Sequence, residues 1–171
     1  MDKVLSTILL VVAAVVCVTL VINAVYPAIT SSSGALGSAS ARMTDRMRSQ
    51  IEIIHSSGEL DEDENWQDTN SNNYFDVFVW VKNVGAESVV DIERCDVFLA
   101  NDQMVWAWIP HADYADGEYP QWDYAIENGS SWRTATTVRI EISYESPLAS
   151  GEYRAKVLIP NGVSDDYYFS M

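Results

Sequence analysis

The chain has 171 residues and a formal charge of −15, from 10 Lys+Arg against 25 Asp+Glu, a length that suits one compact domain plus an accessory segment. The charge is unevenly placed: residues 1–56 hold four basic and three acidic side chains, leaving 6 basic and 22 acidic to residues 57–171, a balance of −16. So acidic a surface repels phosphate backbones and excludes nucleic acid as a partner, while it suits hard cations, high salt or plain solubility.

Residues 4–26, "VLSTILLVVAAVVCVTLVINAVY", carry no charge. As a helix they extend about 34 Å at about 1.5 Å per residue, enough for a hydrocarbon core of about 30 Å. Ser6, Thr7 and Thr19 can return their hydroxyls to the helix backbone, and Tyr26 and Pro27 mark an interfacial exit. A cleaved signal peptide is the competing reading, but the apolar run is long for one, and Ser31 to Ser33 come late for a cleavage site. The expected organisation is a transmembrane or filament-core helix over residues 1–27, a helical stalk over 28–57 and a β-sandwich ectodomain over 58–171. Lys3 flanks the helix on one side and the acidic, Trp-rich bulk lies on the other, which places the N-terminus inside. Cys17 falls in the helix and Cys95 in the ectodomain, so no disulfide framework is expected.

In residues 28–57, Leu36, Met43, Met47, Gln50, Ile51 and Ile54 recur at helical spacings. They predict a stalk helix with a Met/Ile stripe and a weak point near Gly34. From Tyr74 the period changes. "YFDVFVWVKN" and "TVRIEISYE" are rich in β-branched and aromatic residues, and the second alternates strictly. With "VVDIERCDVFLA", "QMVWAWI", "WDYAI", "EYRAKVLIP" and "DYYFS" they make about seven short strands separated by turn signals, the mark of an immunoglobulin-like β-sandwich. Trp80 is assigned to the core, and Trp106 and Trp108, at period two, to one core-facing side of their strand.

Between the acidic run and the first of these strands lies "DTNSNNYFD". Numbered from Asp68, it places Asp68, Asn70 and Asn72 at positions 1, 3 and 5, Asn73 at the turn, Tyr74 at position 7 for its carbonyl, and Asp76 at position 9. This is the first half of an EF-hand-type Ca²⁺ loop; position 12 is Val79 instead of Glu. Asp61 or Asp63 is the candidate for the missing oxygen, and the ion's role would be structural, pinning the junction of stalk and ectodomain. The competing reading is an Asx-rich turn with no metal. "HADYAD" gathers His111, Asp113 and Asp116, read as a solvated loop, and "NGS" at Asn128 matches the N-glycosylation triplet. No phosphate loop, nucleophile elbow or Cys–His pairing is visible.

The layout resembles the archaeal flagellin-like (archaellum) family, which includes type IV pilin-like subunits and stator proteins of the FlaF and FlaG type. The resemblance lies in "VLSTILLVVAAVVCVTLVINAVY", the stalk, "VFVWVKNVGAESV" and "SPLASGEYRAKVLIPNGVSDDYYF". It implies a non-enzymatic subunit at the cell membrane and surface. Residues 4–26 would meet lipid or sister helices in a homo-oligomer or filament, and the sandwich would face other archaellum or cell-envelope proteins. Pilin-like members carry a basic leader ending in Lys/Arg-Gly, whereas "MDK" precedes Val4 and no Gly follows Lys3. That departure favours an accessory or stator-like part over the major filament subunit. The rival classes are a Ca²⁺-dependent adhesion module and a surface hydrolase using paired carboxylates.

Overall fold

The computed structural model describes residues 2–61 and 63–171, apart from the side chains at positions 2, 27–31, 33 and 35. It falls into two units, Met1–Met43 and Thr44–Met171. A single α-helix, α1, runs Asp2–Arg48. Its hydroxyls turn back on the ladder: Thr7 Oγ1 donates to the Lys3 carbonyl at 2.8 Å and Thr19 Oγ1 to that of Val16 at 2.9 Å. The stalk continues the apolar helix without interruption, as expected, and the weak point near Gly34 does not break it. Propagating an existing ladder adds a hydrogen bond per residue fixed, and this outweighs the roughly 1 kcal/mol that a glycine costs.

The head, Thr44–Met171, contains eight strands: β1 (Ile51–Gly58), β2 (Phe75–Asn83), β3 (Asp96–Ala100), β4 (Trp106–Ile109), β5 (Gln121–Ile126), β6 (Thr137–Tyr144), β7 (Glu152–Leu158) and β8 (Ser164–Ser170). All pair antiparallel, in sheets of order β1-β2-β6-β5 and β4-β3-β7-β8. This is the expected two-sheet sandwich. Alternation supplies its core: Val77, Val79 and Val81 of β2, Val138, Ile140 and Ile142 of β6, Val97 and Leu99 of β3, and Ala155 and Val157 of β7 are all buried. The Ile53 amide donates to an Asp165 carboxylate oxygen at 2.8 Å, so the first and last strands of the head are linked across the two sheets.

Three expectations are corrected. The stalk helix was to reach residue 57, but it stops at Arg48, and Ile51–Gly58 is β1, paired to β2 with a bulge between Ile53 and His55. Ile51 and Ile54 stand at helical spacing, yet Ile51 and Ile53 also alternate, and burying those two against β2 decides the outcome. Trp80 is only half-buried, on the outer face between His55 and Phe78. Trp106 and Trp108 do share a face, but it is the outer one of edge strand β4, at 38% and 57% exposure. The core tryptophans are Trp122 and Trp132, both fully buried.

Candidate functional site

Two parts of the chain carry function-bearing chemistry. The first is the apolar helix. Residues Lys3–Tyr26 are long and apolar enough to cross a membrane, and none of that stretch is covered by the rest of the chain. Val4, Leu9, Val15, Leu20 and Val25 are all exposed, so apolar side chains line every side. Such a helix needs lipid or other helices around it. Cys17 is exposed within it, Cys95 is buried in the head, and neither is in a disulfide.

The second is the loop between β1 and β2, which closes over two buried carboxylates on the outer face of the sheet. Glu59 is 3% exposed. It accepts from the backbone amides of Thr69 at 2.8 Å and Asp76 at 3.0 Å, the Trp66 indole at 3.2 Å and the Thr69 hydroxyl. Asp76 is 0% exposed. Its Oδ2 accepts from the side-chain amides of Asn70 and Asn72, both at 2.7 Å, while its Oδ1 is buried with no hydrogen-bond partner. The Asn70 amide also donates to Glu141 Oε1 at 3.0 Å. Burial, and then the nearby Asp76 charge, raises the Glu141 carboxyl above its ordinary value.

The loop brings together most of the residues expected to hold Ca²⁺, but apart from Asp76 Oδ1 their side-chain oxygens are already engaged. Asp68 accepts from the amides of Ser71, Asn72 and Asn73, Asn70 Oδ1 from Asn72 N, and Asn72 Oδ1 from Tyr74 N. Asn73 has the expected left-handed backbone, at φ +65. The amide nitrogens of Asn70 and Asn72, not their oxygens, face Asp76. Among the described residues no three His, Cys, Asp or Glu side chains converge on a ready-made metal site. As arranged, the loop is closed by its own Asx turns and amide–carboxylate bonds. Asp61 caps its own turn, accepting from the amides of Asp63 and Asn65. Backbone bonding, led by the one from Asn65, lowers its carboxyl. Glu59 and Glu141, not Asp61 or Asp63, are the carboxylates brought to Asp76, and neither was singled out from the sequence. Tyr74 stacks its ring on Tyr119 at 4.3 Å.

The "HADYAD" segment is not a solvated loop throughout. His111 is buried, its Nδ1 accepts the Asp113 amide at 3.1 Å, and its ring meets Trp122 edge-on at 4.6 Å. Asp113 and Asp116 are exposed. Asn128 is exposed in the turn between β5 and β6, where its Oδ1 accepts from Thr137 N at 2.7 Å.

One feature gave no sequence signal. The last helical turn, which belongs to the head unit, is strapped to two of its loops. Ala86 N donates to the Arg48 carbonyl at 2.8 Å, Gly85 N to Gln50 O at 2.9 Å, and Arg48 pairs with Glu87 at 2.9 Å. Arg46 Nε donates to Asn161 O at 2.6 Å, and Asn161 Nδ2 to Ser49 Oγ at 2.7 Å. A Cβ at Gly85 would lie 2.7 Å from the Arg48 carbonyl oxygen, so only glycine admits this approach.

The archaeal-type flagellin family matches residues 2–169. An uncharacterized protein of Archaeoglobus fulgidus is 27% identical over 175 residues, 98% of each chain. The archaellum periplasmic stator protein FlaG from Sulfolobus acidocaldarius superposes with a TM-score of 0.53 at 21% identity, covering 71% of this chain and 99% of that one. The archaeal flagellum of Methanospirillum hungatei strain JF1 gives a TM-score of 0.65 at 11% identity, over 98% of this chain and 92% of that one. At these identities the structures share a fold with this chain. The family match, spanning the apolar helix and the sandwich alike, carries the further conclusion: the chain belongs to the archaeal-type flagellin family and is an archaellum-related structural subunit.

Proposed function

We propose that the chain is a membrane-anchored, non-enzymatic accessory or stator-like subunit of an archaellum-like surface machine. In this reading residues 4–26 sit in lipid with the N-terminus inside, and the acidic head faces outward towards other archaellum or envelope proteins. The observation that carries it is the uncovered apolar stretch Lys3–Tyr26, because such a surface in water would drive aggregation. The likeness of 71% of the chain to FlaG, which is described as a periplasmic stator protein, supports it. The test is fractionation of cells making the full chain with its native N-terminus. Retention in membranes through alkaline carbonate, and release by detergent as discrete complexes, is expected; a monodisperse protein in the soluble fraction overturns the anchor.

A second reading, a filament-forming subunit, is favoured by the superposition on the Methanospirillum archaeal flagellum, which extends over 98% of this chain and so includes the helix. There the apolar helices of sister copies would replace lipid, with Ala13, Ala14 and Cys17 permitting close approach. Negative-stain microscopy of the same preparation separates the two: regular filaments favour the second reading and their absence the first.

Calcium at the Asp68–Asp76 loop is a proposal about stability, not catalysis. Asp76 Oδ1 is the free buried oxygen that supports it. The amides of Asn70 and Asn72 would have to turn over to present their oxygens, which agrees with weak binding, on the order of 10⁻⁴ to 10⁻³ M.

A further inference from the structure

Trp108 of β4 and the segment between β4 and β5 form an open cleft of about 410 Å³ whose walls also include Tyr114, Tyr119, Asp116 and Glu118. Two of its aromatic walls, Trp108 and Tyr119, are held in place. The Trp108 indole donates to Asp96 Oδ1 at 3.2 Å, and Tyr119 lies flat against Tyr74, with an interplanar angle of 18°. Trp108 and Tyr114 nevertheless keep 57% and 61% of their surface exposed. Among the described residues no Lys or Arg lines the cleft. Fixed aromatic faces beside two carboxylates, with no internal cation to neutralise them, are the complement of a cationic side chain: the ring quadrupoles attract it and the carboxylates pair with it.

We propose that this cleft is a docking site for a Lys- or Arg-bearing segment of a different protein. A second copy of this chain is a poor occupant. Residues 57–171 hold 6 basic side chains against 22 acidic, and Arg94, Arg139 and Arg154 are already paired with acids of their own chain. Arg154 is further held between the Trp106 and Tyr168 rings. Two such heads repel, whereas a basic segment is drawn in by the whole field and seated by the aromatic walls. The inference stands apart from the choice between anchored and filament-forming subunit.

The test uses the full chain in detergent and fluorescein-labelled tetra-arginine and tetra-lysine peptides with blocked termini, followed by anisotropy. Trp108→Ala leaves the charge unchanged and is expected to weaken binding at least about fivefold. The pair Asp116→Asn with Glu118→Gln is expected to weaken it more than the charge-matched pair Glu64→Gln with Glu152→Gln, and added salt should weaken the parent's binding. Circular dichroism of each variant confirms that the sandwich is intact. Equal binding by Trp108→Ala and the parent overturns the proposal, because the peptides are then held by the general negative field. So does a neutral gluco-oligosaccharide that binds in a Trp108-dependent manner while the peptides do not, since the cleft is then a sugar platform.

Discussion

Arg46 and Asn161 are 115 positions apart, yet Arg46 Nε lies 2.6 Å from the Asn161 carbonyl oxygen. The bond fastens the end of α1 to the β7–β8 turn, and the Gly85 approach to Arg48 fastens it again on another loop. Gly85→Ala forces a methyl against backbone atoms that have no room to yield, and about 1–3 kcal/mol of stability is expected to be lost. Gly34→Ala meets nothing within 4 Å and is expected to leave the head unchanged. Urea unfolding followed by tryptophan fluorescence reads the head alone, because all 6 tryptophans lie beyond residue 57.

The tryptophans divide into two classes with opposite consequences. Trp132→Ala empties a fully buried site in the core and is expected to cost about 3–5 kcal/mol. Trp132→Phe keeps most of the volume and removes an indole N–H that has no hydrogen-bond partner, so it should cost clearly less. Trp108→Ala, on the outer face, should stay within about 1 kcal/mol of the parent. Denaturant midpoints of the three variants check the ranking.

Glu141 gives a pH dependence with a definite sign. Its carboxyl is raised in the folded state, first by burial and then by Asp76, so the folded chain holds this proton more tightly than the unfolded one. Its contribution to stability is therefore lost as pH rises from the ordinary Glu value of 4.5 through the raised folded value. Glu141→Gln, which can still accept the Asn70 amide, should gain stability over the parent at neutral pH, by under about 1 kcal/mol at this partly solvated site. The gain should vanish below the ordinary value. Thermal melts across pH measure it, and a gain that grows on acidification contradicts it.

The calcium proposal is read in the same instrument. Millimolar Ca²⁺ should raise the melting temperature of the parent by a few degrees, with chelation reversing the shift and Asp76→Asn abolishing it. A parent melt indifferent to millimolar Ca²⁺ removes the ion and leaves the loop as a self-capped turn.

Cys95 is buried, and its thiol is pushed up to about 12 by burial, with Asp96 and Glu93 adding to the effect. The nucleophile in alkylation is the thiolate. Iodoacetamide at mildly alkaline pH should therefore leave Cys95 unmodified in the folded head and modify it after denaturation. Peptide mass spectrometry locates the adduct, and rapid native labelling of Cys95 contradicts the burial.

What could be read from the sequence depended on how local each cause is. The uncharged run of residues 4–26 reports its helix directly, and the alternation in Val138, Ile140 and Ile142 reports both strand and core face. For Trp106 and Trp108, period two says only that they share a side. Which side depends on β4 being an edge strand, a fact about the assembled sheet. Ile51 and Ile54 fit a helical stripe, and only the availability of β2 as a partner shows the alternating alternative. Around Asp68 the turn residues were legible, but the direction of the Asn70 and Asn72 amides was not. The straps at Gly85 and Arg46 depend on chain segments distant in sequence, and no local pattern announces them.

The bond from Ile53 to the Asp165 carboxylate has a consequence for biogenesis. The head cannot close until residue 165 has left the ribosome, whereas the greasy N-terminal rod emerges well before. For that interval the cell handles an insoluble segment attached to an unfinished sandwich. On the anchored reading proposed above, targeting and membrane insertion have to recognise the rod alone, before any head surface exists to be recognised.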